Sequence, residues 1–159
     1  MNLAAQVVDR LAQSKCRVVF AESCTCGMVA CELGKVPGVS QWLCGSAVTY
    51  RNDTKTRWLD VDADTIAQQT AVCEVVAKQM AQGVLTKTPE ADLAVSITGH
   101  FGPAAPAGFD GVVLIAAARR QSSGPFDVSV SRQQLTAKGR ADRQVEATER
   151  VFQWVLRNL

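Results

Sequence analysis

The chain is poor in the residues that most readily build metal centres, disulfide frameworks and nucleic-acid surfaces. Its 159 residues include a single histidine, His100, and a single tyrosine, Tyr50. Six cysteines crowd into the first half as Cys16, Cys24, Cys26, Cys31, Cys44 and Cys73, but no C-x-x-C pair occurs. Structural zinc sites join two clusters of paired ligands, and Cys24-x-Cys26 with one histidine supplies at most one. No metal site is expected, and the cysteines read as reduced, mostly buried small hydrophobes. A basic stripe is missing as well: the longest Lys/Arg block is Arg119-Arg120, and the net charge is only +2. That excludes an electrostatic reader of nucleic acid and gives no reason for an anionic membrane surface. No apolar run approaches the ~20 residues of a membrane-spanning helix. The first helix-like segment carries Asp9, Arg10 and Lys15, unlike a signal peptide. A soluble cytoplasmic protein is expected.

What is present suits an ordinary globular core. Hydrophobic residues make up 47% and charged residues 20% of the chain, enough to bury one substantial domain. Leu3, Val7, Val8 and Leu11 share a helical face over residues 3–14, ahead of a strand over 17–21. A helix is expected over 26–33, closed by Gly34 and the turn VPGVS, then a short helix at QWLC and a second strand over GSAVTYR. NDTKTRWLDV and DADTIAQQ read as short helices. From a cap near Thr70, an amphipathic helix should carry Val72, Val76, Met80 and Val84. DLAVSIT has the continuous apolar character of a buried strand. VVLIAAAR and FDVSVSRQQL should pair as an antiparallel hairpin, and a last helix should run over 141–157. Strands alternating with helices predict a three-layer α/β/α sandwich around a mixed, mostly parallel sheet.

Three strand ends carry chemistry. VVFAESCTCGMVA runs from a strand into Ser23 and then a helix, where ligands of open α/β sheets collect and where a serine or Thr25 is also a natural helix cap. TYRNDTK offers Tyr50, Asn52 and Lys55. A solvated lysine, with a pKa near 10.4, is no base, but one held in a dry cleft can deprotonate a serine. SITGHFGP ends a strand with Thr98-Gly99 and a loop containing Gly102, whose missing side chain permits close backbone approach to a ligand.

Together these segments resemble the CinA C-terminal domain family, the nicotinamide-nucleotide amidases. The resemblance runs in order through AESCTCG (21–27), VPGVS (36–40), VTYRNDTK (48–55), TAVCE (70–74), SITGHFGP (96–103) and KGRADRQ (138–144), so that residues 1–159 read as a single domain of this kind. It implies metal- and cofactor-independent hydrolysis of the carboxamide of nicotinamide mononucleotide to nicotinate mononucleotide and ammonia. Carried over, Ser23 is the nucleophile, Lys55 its base and Tyr50 a third catalytic group. Glu22, Thr25, Gly27, Gly45 and Asn52 fall on substrate-binding positions. So do Thr98, Gly99 and Gly102, and Arg140 would meet the phosphate, for which a guanidinium is well suited. The implied partner is a small phosphorylated nucleotide, with self-association into a homo-oligomer. The pattern departs from the family's at Cys26 and Ser46, each in place of a glycine, at Cys73 in place of serine, in a shorter loop after Pro103 with GFDG for Lys-Pro-Val-Gly, and at Lys138-Gly139. Cys26 is expected either to obstruct ligand approach at the helix start or to pack into the core. Two alternatives therefore stay open: an amidohydrolase acting on another small anionic substrate, and a catalytically impaired nucleotide-binding or regulatory protein.

Overall fold

Side-chain alternation along the buried strands organises the molecule, a computed structural model that describes residues 2–159. The elements are α1 (Leu3–Ser14), β1 (Val18–Glu22), α2 (Met28–Gly34), a 3-10 turn (Val39–Gln41), β2 (Leu43–Val48), α3 (Asn52–Leu59), α4 (Ala63–Gln69), α5 (Glu74–Lys87), β3 (Leu93–Gly99), β4 (Val112–Arg119), β5 (Asp127–Gln134) and α6 (Arg140–Arg157). Val18, Phe20, Leu93, Val95, Ile97, Val113 and Ile115 face one way, onto Val7 and Leu11 of α1, Val29 and Leu33 of α2, and Val151 and Val155 of α6. Val19, Ala21, Ala94, Leu114 and Ala116 face the other, onto Leu59, Ile66, Val76, Met80 and Val84 of α3–α5. Because successive strand residues point to opposite faces, strands apolar throughout require helices on both sides.

The sheet order is β2-β1-β3-β4-β5. β1 pairs in parallel with β2 and β3, whereas β4 is antiparallel to both β3 and β5. Four strands thus run one way and β4 alone is reversed, the mixed three-layer sandwich that the alternation predicts. The carboxyl ends of β1, β2 and β3 consequently lie side by side, which brings the three chemistry-bearing segments together.

Several boundaries differ from expectation. QWLC is not a helix: Trp42 ends the 3-10 turn, and β2 begins at Leu43, where it meets Val18 of β1. α2 starts at Met28 rather than Cys26, because Cys26 (φ 53°) and Gly27 (φ 92°) are both left-handed. α5 starts at Glu74 after Cys73. Thr70 instead closes α4, with φ 70° and its N–H donating to the Ile66 carbonyl. Gly83 lets α5 press on α3: a Cβ there would fall inside the van der Waals radius of the Leu59 carbonyl oxygen.

Candidate active site

At the end of β1 the backbone stays paired one residue further, the Ser23 N–H donating to the Ile97 carbonyl at 3.1 Å. Glu22, fully buried, folds under the start of α2. Its Oε2 accepts from Thr25 Oγ1 (2.8 Å), Gly27 N (2.9 Å) and Val29 N (3.1 Å), and its Oε1 from Ala30 N (3.1 Å) and Ser46 Oγ (2.9 Å). The free N–H groups of a helix start must find acceptors, and a carboxylate is the strongest available. Glu22 therefore does the capping that a serine or threonine might otherwise do, and Ser23 Oγ is left to the cleft.

From the neighbouring β2, Thr49 and Tyr50 lead into α3, which turns Lys55 back toward Ser23. Lys55 is only 1% exposed. Its Nζ lies 2.9 Å from Ser23 Oγ, 2.7 Å from the Thr49 carbonyl and 3.4 Å from the Tyr50 carbonyl. Among the described residues no carboxylate pairs with it, Glu22 being occupied as above. Burial lowers its pKa from the ordinary 10.5 to about 8, with the adjacent Cys24 acting weakly in the opposite sense. Burial also pushes the Cys24 thiol up to about 12, so that group stays neutral beside the lysine. In neutral Lys55 two N–H bonds can serve the two carbonyls while the lone pair faces the serine hydroxyl. This is the arrangement a general base requires.

At the end of β3, Thr98 is buried, and its hydroxyl donates to the Ala71 carbonyl at 2.9 Å, tethering the segment before α5. Gly99 allows β4 to pass closely, since a Cβ would strike Val113 and the Val112 carbonyl. The loop beyond meets α6: Arg140 donates from Nη1 to the Gly102 carbonyl (2.9 Å) and from Nη2 to Tyr50 Oη (2.7 Å), with its guanidinium 5.9 Å from the Phe101 ring centre.

These groups surround a cleft of about 270 Å³, lined by Ser23, Tyr50, Asn52, Lys55, Thr98, Gly99, Gly102 and Arg140 among others. Glu22, Thr25, Gly27 and Gly45 do not reach it. Thr25 is spent on Glu22 and, through its carbonyl, on Gln144 Nε2 (2.7 Å), while Gly45 lies within β2. Those four shape the frame of the site rather than its surface. Cys26 is outside the cleft and exposed, so it neither obstructs a ligand there nor packs into the core. A larger groove, about 440 Å³ between α1, α2 and α6, brings Glu32, Lys35 and Glu149 together but no paired nucleophile and base. Chemistry, not size, selects the smaller cleft.

Three contributors escaped the sequence reading. Thr49 acts through its backbone carbonyl, for which no side-chain signal exists. His100, weighed only as a metal ligand, lines the cleft, and burial lowers its pKa so that it is neutral at pH 7. Arg143, one turn after Arg140, is 6% exposed and donates to the Ala137 and Phe101 carbonyls and to Asp110. No group of three or more His, Cys, Asp or Glu side chains among the described residues could hold a metal ion.

The CinA C-terminal domain model matches residues 1–159. The chain belongs to the CinA C-terminal domain family. It is 44% identical to a CinA-like protein of Petrotoga mobilis over 102 residues, covering 64% of this chain and 25% of that one. It is 41% identical to a CinA-like protein of Chlorobium limicola over 125 residues, covering 77% and 29%. The chain thus spans between a quarter and a third of the length of these relatives. In structure it superposes on the competence/damage inducible protein CihA from Agrobacterium tumefaciens with a TM-score of 0.89 and 28% identity, covering 97% of this chain and 92% of that one. Within this CinA domain, no helix among the described residues is long and apolar enough to cross a membrane.

Proposed function

We propose that this CinA-family domain is a serine amidohydrolase that converts the carboxamide of nicotinamide mononucleotide to the carboxylate, releasing ammonia. The observation that carries this reading is the buried Lys55 amine, paired with no carboxylate among the described residues and 2.9 Å from Ser23 Oγ. Ser23 Oγ attacks the carboxamide carbon as its proton passes to Lys55 Nζ. The tetrahedral intermediate then expels ammonia, which takes that proton from Lys55, leaving an ester on Ser23. Water attacks the ester, again giving a proton to Lys55. Collapse returns the proton to Ser23 Oγ and releases the acid.

Arg140 supports a phosphorylated substrate. A fixed guanidinium at the cleft mouth offers the planar donor fork that a phosphate monoester accepts, and its bonds to Gly102 and Tyr50 orient it before the ligand arrives. The reading that turnover is impaired loses its motive at Cys26, which does not enter the cleft. Incubating the purified protein with the mononucleotide and measuring ammonia tests the proposal: release in wild type and none in Ser23→Ala is the expected result. Absence of release in wild type overturns it.

A further inference from the structure

The loop over residues 100–111 carries one wall of the cleft, and two arginines on the first turn of α6 lace it down. Arg140 takes the Gly102 carbonyl at 2.9 Å. Arg143 takes the preceding carbonyl, Phe101 O, at 3.0 Å. The same Arg143 grips the far end of the loop, with Nη1 2.7 Å from Asp110 Oδ1 and Nη2 2.7 Å from Asp110 Oδ2, and holds the approach to α6 through Nε and the Ala137 carbonyl at 2.8 Å. Space is cleared for it: a Cβ on Gly111 would lie 3.3 Å from the guanidinium carbon, and one on Gly102 would lie 3.3 Å from Nη1. Gly102 and Gly111 also have positive φ, 69° and 72° respectively, so the turns that admit the guanidinium suit glycine doubly. Arg143 does not line the cleft. A guanidinium in this bidentate geometry fixes orientation as well as charge. Every donor bond that it makes goes to the loop or to the entry of α6.

We propose that Arg143 and Asp110 form a latch that positions the cleft wall and, through the adjacent Phe101 and Gly102 carbonyls, the phosphate-facing fork of Arg140. Arg143 is a positioning residue: it sets where Arg140 points and touches no substrate itself. The phosphate part of this inference rests on the proposed function; the loop-holding part does not.

Asp110 is solvent-exposed at the loop's end, so Asp110→Asn removes the charge without disturbing the core. Two measurements on wild type, Asp110→Asn and Asp110→Glu decide the matter. The first is hydrogen exchange at the His100, Phe109 and Gly111 amides, each hydrogen-bonded within or beside the loop. Asp110→Asn should speed their exchange by about tenfold while amides of β1 are unchanged, and Asp110→Glu should restore most of the protection. The second is steady-state kinetics, in which Asp110→Asn should raise KM for nicotinamide mononucleotide by about tenfold with kcat within about twofold. KM for the dephosphorylated riboside should change much less. Unchanged exchange at the three amides overturns the latch. Faster exchange with an equal rise in KM for both compounds keeps the latch but overturns its link to Arg140. If wild type hydrolyses neither compound, the proposed function falls, and the exchange measurement alone still decides whether the latch exists.

Discussion

Lys55 and Arg140 face the same cleft under opposite physical conditions. Lys55 is sealed at the junction of α3 with β1, and its surroundings favour the neutral amine. Arg140 sits exposed at the mouth, with two hydrogen bonds and an aromatic face beside it. Under the proposed function the buried cation is the base and the exposed one the anchor for an anion, with chemistry on the floor of the cleft and recognition at its rim.

Breaking the floor should have the largest effect. Ser23→Ala should lower kcat by about 10⁴–10⁶-fold, and Lys55→Met by about 10²–10⁴-fold, measured as ammonia release. In wild type the rate should rise with pH and level off above about 8, as Lys55 loses its proton. Stability rises with pH as the activity does, but over a higher window. Below pH 8 the lysine is charged in both folded and unfolded chains, and burial opposes folding in full. Between about 8 and 10.5 the folded chain releases its proton first, so stability rises with pH through that window. Lys55→Met should therefore raise stability at pH 7 by about 1–2 kcal/mol, after allowance for the two carbonyls left without a donor. A dead enzyme with a lower melting temperature would show that Lys55 is a structural group.

The frame behind the floor comes next. Gly83→Ala would drive a methyl into the Leu59 carbonyl, one turn beyond Lys55 on α3. Overpacking of this kind costs about 1–3 kcal/mol, and because the shift falls on the helix that carries the base, kcat should drop alongside the melting temperature. A variant that loses stability but retains full kcat would separate the packing of α3 from the placement of Lys55.

At the rim, Arg140→Ala should weaken binding of the mononucleotide by about tenfold to a hundredfold, or about 1.5–3 kcal/mol, and that of the riboside far less. Equal losses for both would place the phosphate elsewhere.

Much of this was legible in the chain itself, and the reasons are particular. The apolar runs around Val18–Ala21 and Leu93–Ile97 announce strands covered on both faces, and helices between them force β1, β2 and β3 to end on one side. Ser23 and Lys55 were readable because each comes after a strand's carboxyl end, and Thr98 because it lies at one. Glu22 was not, because a buried acid beside a serine reads as chemistry until five donors are seen to converge on it. Thr49 acts through a carbonyl, which leaves no trace in side-chain pattern. Arg143 and Asp110 are 33 residues apart, and nothing local in either segment signals that they meet. Thr70 looked like the start of α5 because a hydroxyl before an acid resembles a cap. Its positive φ and its N–H bond to the Ile66 carbonyl give it to the end of α4 instead.

The smallest effect is expected at Cys26. A cysteine in place of the family's glycine suggested a blocked helix start or a packed side chain, and the structure shows neither. The residue has φ 53°, its side chain is exposed, and the cleft is lined by Ser23 and Cys24 but not by Cys26. What the substitution changes is backbone preference. A residue with a Cβ is disfavoured at positive φ, whereas glycine adopts it freely. Cys26→Gly also gives the unfolded chain more freedom, which opposes the relief of strain. With no packing to lose, the strain should prevail, and stability should rise by about 0.5–1 kcal/mol with kcat and KM unchanged. A lower melting temperature would mean that the thiol makes contacts in solution worth more than the strained turn. A rise in turnover would mean that the helix start, and not only the Ser23–Lys55 floor, tunes the chemistry.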